Sequence, residues 1–539
     1  MADGRSVRSS DAQGTYRALF RALNNGRPVS SAGLVARLKS AGILEDDPRI
    51  AGILGAAAEQ EALGLAEFTA VVQQCSGLVQ RTLRGGLVVP EFAELAGRIA
   101  GIYRDLLPLR DGTVATYIPQ LARVDPEQLA VSVCTVDGQR YTVGDGDVPF
   151  CLQSVSKTVG YCLALEEHGV EATHRHVGRE PSGQGFNGLA LDRFGHPHNP
   201  MVNAGAIMSC ALIRPDLPPA DRFDLVAQTW RRLSGGSRPW FNNAVCLSER
   251  ETADRNYALA YSMREQHAFP PGTDMHAALE FYFQCCSIEV TSRMLATAAA
   301  SFANGGVCPL TTDRVFSEET VQHCLSLMAS CGMYDYSGEF AFTVGLPAKS
   351  GVSGALMIVI PRLAGICVWS PRLDELGNSV RGIEFCRRLE QAYNIHPLTP
   401  PTLGTRTDLR LRRNQSTVEN TVGLCWAARQ GDLDDIRRYA AAGADLAGAD
   451  YDGRTPLHLA ASEGRVRIVR YLLAHGVPTT STDRWGNTPL DDAEREGHDK
   501  VARILRGAGP GPALPRQRSA PTAPRRHAAG GAGPGSTSP

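Results

Sequence analysis

The sequence contains a serine and a lysine whose spacing could support acyl transfer. Ser154 and Lys157 stand three residues apart in VPFCLQSVSKTVGYCLALEEHG, where apolar residues recur at helical spacing up to about Gly169. Residues three apart share one face of a helix, so the lysine amine could accept the serine proton. Burial would favour this transfer because it lowers the pKa of a lysine. By itself, however, the spacing is explained more readily by chance or by a surface pair.

A second lysine strengthens the catalytic interpretation. The chain has only four lysines, and Lys349 stands in LPAKSGVSGALMIVI, where Lys-Ser-Gly enters an apolar stretch. S-x-x-K followed by K-[ST]-G is the paired signature of serine β-lactamases and penicillin-binding proteins. In that fold, the strand edge two residues past the serine of K-[ST]-G donates an oxyanion N–H, and here this residue is Val352. The two motifs in this order predict an acyl-transferring serine enzyme.

The surrounding elements predict an α+β fold for residues 106–395. LAVSVCTVDGQRYTVGD alternates around Asp137-Gly138, which predicts a β-hairpin immediately before the serine motif. SGALMIVIPRLAGICVWSP predicts two buried strands joined by a turn near the end of this region. Since several helical segments lie between the two strand pairs, we expect an antiparallel sheet with a helical subdomain.

The flanking regions predict separate domains. A flexible N-terminus, 1–14, precedes a helical, EF-hand-like domain at 15–105, which lacks a D-x-[DN]-x-[DN]-G loop and therefore predicts no calcium site. A T-P-L-H-x-A core at Thr455–Ala460 and a 33-residue period indicate ankyrin repeats over 421–509. A linker is predicted at 396–420, and a disordered Pro/Gly/Ser-rich tail at 510–539.

A series of motifs extends through residues 106–395. They include YIPQLARVDPEQLAVSVCTVDGQRYTVGD, PFCLQSVSK, EPSG…FN, HNPMVNAGAI, SERETADRN, FYFQCCSIEVT, ANGG, CGMYDYSGEFAF and GLPAKSGVSG. In this order they resemble the β-lactamase-like glutaminases of the kidney/liver and bacterial type. Animal members similarly combine an N-terminal EF-hand-like region with C-terminal ankyrin repeats. The resemblance implies a β-lactamase/transpeptidase-like catalytic domain that hydrolyses L-glutamine to L-glutamate and ammonia.

The resemblance also implies roles for individual residues. Ser154 would be the nucleophile that forms a γ-glutamyl ester, Lys157 its proton acceptor, and Tyr334 a neighbour that helps proton transfer. The N–H groups of Ser154 and Val352 would hold the oxyanion. The implied substrate contacts are Tyr117, Gln153, Asn203, Glu249, Asn256 and Tyr282. A carboxylate suits the α-ammonium of free glutamine, while amide and phenol donors suit its α-carboxylate.

Composition limits the classes of partner and compartment. A net charge of −1 argues against nucleic acid or an anionic membrane as partner. The fourteen cysteines are scattered and include no C-x-x-C pair. This pattern predicts small buried apolar side chains in a reducing compartment, without disulfides. No metal or other cofactor is implied, and His196 and His198 have no third ligand at zinc spacing, so we interpret them as loop residues. We predict a cytoplasmic protein without a targeting segment.

Assembly and two alternative functions complete the predictions. The resemblance implies a homo-oligomer, a dimer or tetramer, and the ankyrin repeats could hold a protein partner. A β-lactamase or transpeptidase is supported by the two lysine motifs alone, although the absence of a secretion signal argues against it. A scaffold with an inactive core is the other alternative, against which the intact serine and both lysines argue.

Overall fold

The computed structural model divides the chain into two compact units, whose border falls between Arg413 and Asn414. It describes residues 16–21, 23–24, 27–183, 188, 190–399, 406–411, 413–441 and 444–508. The predicted N-terminal segment 1–14, the tail 510–539 and the FN of the EPSG…FN motif lie outside these residues. The border between the units falls inside the predicted linker 396–420, whereas the boundaries of the six predicted segments stay predictions.

The N-terminal region of the first unit is a small helical domain with its own core. Its elements are β1 (Val29–Ser30), α1 (Ser31–Ser40), α2 (Ala51–Glu59), β2 (Ala62–Leu63), α3 (Leu65–Val72) and α4 (Ser76–Arg84). The Ser30 side chain caps α1 by accepting a hydrogen bond from the Gly33 N–H. Leu34, Leu38, Ile53 and other apolar side chains form a core that is separate from those of the following region.

A five-stranded antiparallel sheet forms the centre of the first unit. Its strands are β3 (Ala130–Thr135), β4 (Arg140–Gly144), β8 (Ala348–Gly351), β9 (Ala355–Ile360) and β10 (Ala364–Trp369), in the spatial order β4-β3-β10-β9-β8. The two predicted hairpins are confirmed as β3–β4 and β9–β10. Every residue of β3, β9 and β10 is buried, because helices cover both faces of the sheet.

Helices and a small second sheet surround this central sheet. The small sheet consists of β5 (Phe150–Cys151), β6 (Trp240–Phe241) and β7 (Ile288–Val290). The helices are α5 (Phe92–Leu106), α6 (Pro119–Ala122), α7 (Ser156–Thr173), α8 (Asn203–Leu212), α9 (Pro219–Leu233), α10 (Asn243–Glu251), α11 (Asp254–Glu265), α12 (Met275–Cys286), α13 (Ser292–Ala303), α14 (Glu318–Cys331), α15 (Ser337–Thr343) and α16 (Val380–Ala392). This arrangement confirms the predicted α+β class with an antiparallel sheet. All fourteen cysteines are buried and unpaired.

The helical domain holds the turn of the β3–β4 hairpin. The Asp137 carboxylate accepts a hydrogen bond and a salt bridge from Arg81, and the Arg49 guanidinium donates to the Asp137 carbonyl at 2.9 Å. Two residues further on, the Gln139 amide donates to the Ala41 carbonyl at 3.0 Å. These contacts satisfy polar groups that a buried turn would otherwise leave without partners.

The second unit contains stacked helix pairs. Its helices are α17 (Arg413–Gln430), α18 (Leu433–Ala441), α19 (Pro456–Ser462), α20 (Val466–Ala474), α21 (Pro489–Arg495) and α22 (Asp499–Gly507). Thr455 and Thr488, 33 residues apart, each form a capping box before a proline. His458 is buried and hydrogen bonds to Thr455 and to the Asn487 carbonyl, so it links two successive repeats. Across the described residues of both units, no helix has the length and apolar character needed to cross a bilayer.

Candidate active site

Ser154 lies in a 3-10 turn, Gln153–Val155, that leads directly into α7. The sequence predicts it in the first α-helical turn instead. Gln153 adopts a left-handed φ of 48°, a conformation that a residue with a side chain holds only under tertiary constraint. Part of that constraint is the Leu152 N–H, which donates to the Ile288 carbonyl of β7 at 2.8 Å. At Gly169, where the sequence predicts the end of this helix, the backbone breaks with a φ of 74°, and helical structure resumes up to Thr173.

Gly351 of the K-S-G motif allows β8 to approach this turn closely. A Cβ at this position would lie 2.9 Å from the Leu152 carbonyl oxygen and 3.2 Å from the Val155 side chain. Val352 follows in the turn between β8 and β9 and packs beside Cys151. The prediction that Val352 lies on a strand edge is therefore corrected by one residue, because the strand ends at Gly351.

Lys157 is buried, with 3% of its surface exposed, and its ammonium has an amide partner. Its Nζ donates to Asn203 Oδ1 at 2.6 Å. Burial lowers the pKa of Lys157 to about 8, although the nearby Cys286, Cys210 and Glu249 oppose this change. A substantial fraction of the amine is therefore neutral near physiological pH, as a general base requires.

Asn203 begins α8 and connects three of the predicted site residues. Besides Lys157, its Oδ1 accepts a hydrogen bond from the Tyr282 hydroxyl at 3.4 Å, while its Nδ2 donates to Asn256 Oδ1 at 3.3 Å. Tyr282 is buried on α12, and Asn256 is half-buried on α11. Three helices thus bring their amide and phenol groups to the end of the Lys157 side chain.

A second cluster joins Tyr117, Gln153 and Glu249. The Tyr117 hydroxyl donates to Glu249 Oε1 at 2.5 Å and lies 3.2 Å from Gln153 Oε1. Burial raises the pKa of Glu249, while the Tyr117 hydrogen bond and the charge of Lys157 oppose the rise. The Gln153 side chain also hydrogen bonds to Glu249 and further opposes the rise in its pKa. The cluster therefore presents a buried carboxylate that a phenol and an amide hold in place.

Tyr334 is buried beside the serine, and Lys349 supports its ring. Burial raises the pKa of Tyr334, and hydrogen bonding to Ser154 and Ser350 opposes this. The Lys349 Nζ lies 4.6 Å from the centre of the Tyr334 ring and donates to the carbonyls of Gly332, at 3.1 Å, and Ser350, at 2.8 Å. Burial together with the charge of Lys157 holds the pKa of Lys349 well below its ordinary value.

Two features of this region were not predicted from the sequence. Tyr334 has a left-handed φ of 53°, like Gln153, so two non-glycine residues at the site carry backbone strain. Cys286, predicted only as a core residue, has its Sγ 3.8 Å from Ser156 Oγ at the base of the serine turn. Burial raises the pKa of Cys286 to about 12, so this thiol is neutral. No local sequence pattern indicates either feature, because both depend on packing between α7, α12 and β8.

A cavity of about 500 Å³ borders Tyr334. It is lined by residues just before α8 and at the end of α14, among them Asn199, Val202, Ser330 and Cys331. His196 and His198 lie in the loop that leads to α8, as predicted. Most of the predicted site residues are thus buried close to Ser154 and Lys157, whereas Tyr117 is 47% exposed, and open space lies next to Tyr334.

Comparison with protein families gives three matches along the chain. Residues 112–397 match the Glutaminase family, residues 424–512 match ankyrin repeats in three copies, and residues 17–90 match an EF-hand domain. The mitochondrial liver glutaminase of Rattus norvegicus is 45% identical over 434 residues, which cover 79% of this chain and 72% of that protein. A glutaminase of Nostoc is 44% identical over 289 residues, which cover 53% of this chain and 85% of that protein.

A solved structure is similar to the same central region. A probable glutaminase from Bacillus subtilis, complexed with 6-diazo-5-oxo-L-norleucine, superposes with a TM-score of 0.50 at 30% sequence identity. The superposition covers 57% of this chain and 96% of the Bacillus protein. The similarity therefore extends over almost all of that chain and over the part of this one that contains Ser154.

Proposed function

The chain belongs to the glutaminase family, and from this premise we propose that it hydrolyses L-glutamine through a Ser154–Lys157 dyad. As a member, it is a hydrolase that acts on the side-chain amide of glutamine. The dyad, the γ-glutamyl intermediate and the residue roles below are the proposal. The observation that carries it is the buried Lys157, whose amine has a lowered pKa one helical turn after Ser154.

Lys157 is suited to remove the proton of Ser154 because its environment favours the neutral amine. The negative charge of Glu249 only partly opposes the effect of burial on the pKa of Lys157. Asn203 holds the amine with a neutral carbonyl oxygen instead of a carboxylate, so the lysine is oriented without being fixed as an ammonium ion. Ser154 Oγ then attacks the side-chain carbonyl carbon of glutamine.

The tetrahedral intermediate needs donors for its oxyanion and a proton for the leaving amine. The Ser154 and Val352 N–H groups are the proposed oxyanion donors, supported by the close approach that Gly351 permits. Tyr334 is the proposed proton carrier, since its phenol is protonated and hydrogen bonded to Ser154. The C–N bond breaks, the nitrogen takes the proton and leaves as ammonia, and Ser154 keeps the γ-glutamyl group as an ester.

Water completes the cycle by hydrolysing the ester. The neutral lysine removes a proton from the incoming water, whose oxygen attacks the ester carbonyl. The bond to Ser154 Oγ breaks, the serine regains a proton, and glutamate is released. One water is consumed for each glutamine, and no oxidant, reductant or further reactant is required.

The Glu249 cluster is the proposed site for the α-amino group of the substrate. A buried carboxylate is unfavourable without a cationic partner, and a substrate ammonium would supply one. The Tyr117 hydroxyl and the Gln153 amide orient this carboxylate, and Gln153 is the proposed further contact of the substrate. Asn203, Asn256 and Tyr282 are the proposed contacts of the α-carboxylate, since their amides and phenol meet at one point.

Covalent labelling of the nucleophile tests the assignment of Ser154. The purified full-length protein is incubated with 6-diazo-5-oxo-L-norleucine, a diazo ketone analogue of glutamine, and digested for peptide mass spectrometry. We expect one covalent adduct on the peptide that contains Ser154, with loss of dinitrogen and of ammonia release from L-glutamine. Ser154→Ala is expected to abolish both the adduct and the activity. Full activity in Ser154→Ala would overturn the assigned nucleophile.

Assembly and location complete the proposal. A homo-oligomer, a dimer or tetramer, is tested by light scattering of the purified chain, where a mass of one protomer at working concentration would contradict it. A cytoplasmic location stays a prediction, which fractionation of the source cells would check. A protein partner on the ankyrin repeats is considered further below.

A further inference from the structure

The ankyrin unit concentrates unpaired cations on one face of two neighbouring helices. On α20, Ile468, Val469 and Leu472 are buried, so Arg467 and Arg470 share the opposite, exposed face. The pattern repeats on α22, where Val501, Ala502 and Leu505 are buried and Lys500 and Arg503 are exposed. We call these four cations the basic face.

The 33-residue period places the cations of the basic face at equivalent positions of two successive repeats. Lys500 follows Arg467, and Arg503 follows Arg470, by one repeat each. Because α20 packs against α22, equivalent positions of the two helices lie side by side. The four cations therefore form two adjoining rows across the helices.

Arginine is abundant in this chain, but abundance does not explain the basic face. Within residues 420–441 and 444–508, the four cations of the basic face form no salt bridge. Seven other arginines in these ranges do: Arg429, Arg437, Arg438, Arg454, Arg484, Arg495 and Arg506. Arg465, the remaining arginine there, donates to the Arg429 carbonyl. The arginines and lysines in these ranges that have no carboxylate partner are therefore Arg465 and the four cations of the basic face, of which Arg503 also donates to the Asp499 carbonyl at 3.4 Å.

This arrangement is unfavourable for α20, which contains no acidic residue, while on α22 Asp499 stands four residues before Arg503 and offsets part of the repulsion. Arg467 and Arg470 stand at i,i+3 on α20, and Lys500 and Arg503 at i,i+3 on α22, where like charges repel. Small residues follow each row, since Ala474 and Gly507 occupy the next exposed position on the same face. A partner backbone can therefore approach the helices closely beside the cations.

We propose that the basic face of the ankyrin unit docks an acidic polypeptide segment of a partner protein. Its charge complements carboxylates, which can form bidentate pairs with the exposed guanidinium groups. An aromatic platform for nucleic acid bases is missing from the described part of this face, because the nearest ring, Tyr471, is half-buried and stacked on His475. The chain beyond residue 508 adds arginines and no acidic residue, so it reinforces the same sign of charge.

The test compares three polyanions of equal net charge on the full-length protein. Fluorescently labelled acidic peptide, single-stranded RNA and phosphatidylserine vesicles are titrated at low and at physiological salt. We expect the peptide to bind most tightly and its affinity to fall with salt. Arg470→Glu/Arg503→Glu is expected to weaken peptide binding by at least about tenfold.

A matched variant separates the basic face from general charge. Arg429→Glu/Arg484→Glu makes the same change in net charge at exposed arginines that already have carboxylate partners. It is expected to leave peptide affinity within about twofold of wild type. Equal loss in both variants, tighter binding of RNA or vesicles, or no peptide binding would each overturn the proposal. Glutamine hydrolysis and thermal unfolding verify folding, and Arg470→Gln/Arg503→Gln replaces any variant that unfolds.

Discussion

Replacing Asn203 by aspartate tests whether the proton affinity of Lys157 controls catalysis. The change keeps the shape of the side chain but places a carboxylate where a neutral amide oxygen now lies 2.6 Å from Nζ. Since Lys157 is 3% exposed, solvent screens this charge only weakly. A carboxylate this close to a buried amine raises its pKa by about one to three. The pKa of Lys157 would move from about 8 to between about 9 and 11.

The expected loss of activity follows from the fraction of neutral lysine. With a pKa of about 8, about one tenth of the amine is neutral at pH 7. Raising that pKa by one to three lowers this fraction, and kcat/KM at pH 7, by about 10- to 1000-fold. A higher pKa must lower kcat/KM at pH 7, because the neutral form of Lys157 is the base and becomes populated only as pH rises through the pKa. Activity of Asn203→Asp should therefore recover towards alkaline pH.

The assay is ammonia release from L-glutamine, with kcat/KM measured from pH 6 to 11 for the wild type and two variants. The wild-type acid limb should have its midpoint near pH 8. Asn203→Ala is the control, because it removes the same substrate contact without adding charge. Its kcat/KM should fall at every pH, while its midpoint stays or moves down, since the ammonium loses an acceptor. A midpoint that does not rise in Asn203→Asp would refute Lys157 as the base.

Three further changes test separate parts of the molecule. Glu249→Gln should raise KM for L-glutamine by about 10- to 100-fold with a smaller effect on kcat, because it removes a charge-assisted bond to the ammonium; an unchanged KM would contradict this role. Gln153→Gly should be more stable than Gln153→Ala by about 1–2 kcal/mol, because only glycine adopts a φ of 48° without strain. The difference should appear as a higher unfolding temperature of the glycine variant. Replacing Arg381 by Met should lower the free energy of unfolding by about 1–3 kcal/mol, because buried carbonyls lose their donor. Arg381 is 1% exposed and donates to the carbonyls of Leu107, Leu109 and Glu127. Thermal unfolding of Arg381→Met measures this loss, and a stability equal to wild type would refute it.

The strands could be predicted because their signals are local. Asp137-Gly138 marks a turn, and the apolar runs around Pro361 have the length of buried strands. The serine turn could not be predicted in the same way. The position of Ser154 ahead of the helix depends on the hydrogen bond between Leu152 and Ile288 and on the close approach of β8 to the turn at Gly351. These are contacts between distant parts of the sequence, which periodicity does not encode.

The candidate site shows the same division between local and distant information. The Ser154–Lys157 spacing was visible as a motif, whereas the Lys157–Asn203 contact joins residues 46 apart and the Tyr117–Glu249 contact joins residues 132 apart. Only the family resemblance indicated that these side chains meet. The strain at Tyr334 and the position of Cys286 had no signal at all, because backbone conformation and packing at a junction arise only in the folded chain.

The contacts of Arg49 and Arg81 with the Asp137 turn suit an order of folding that follows the order of synthesis. The helical domain has its own core and leaves the ribosome first, so it can be folded before the β3–β4 hairpin emerges. The hairpin turn can therefore dock on a domain that is already folded. However, β3 receives its second neighbour, β10, only after more than two hundred further residues have been made. During that interval the contacts of Arg49 and Arg81 can hold the turn of the hairpin, while the edge of β3 that later pairs with β10 is still open. Deleting the helical domain is therefore expected to increase the aggregated fraction of newly made chain, as measured by the yield of soluble protein.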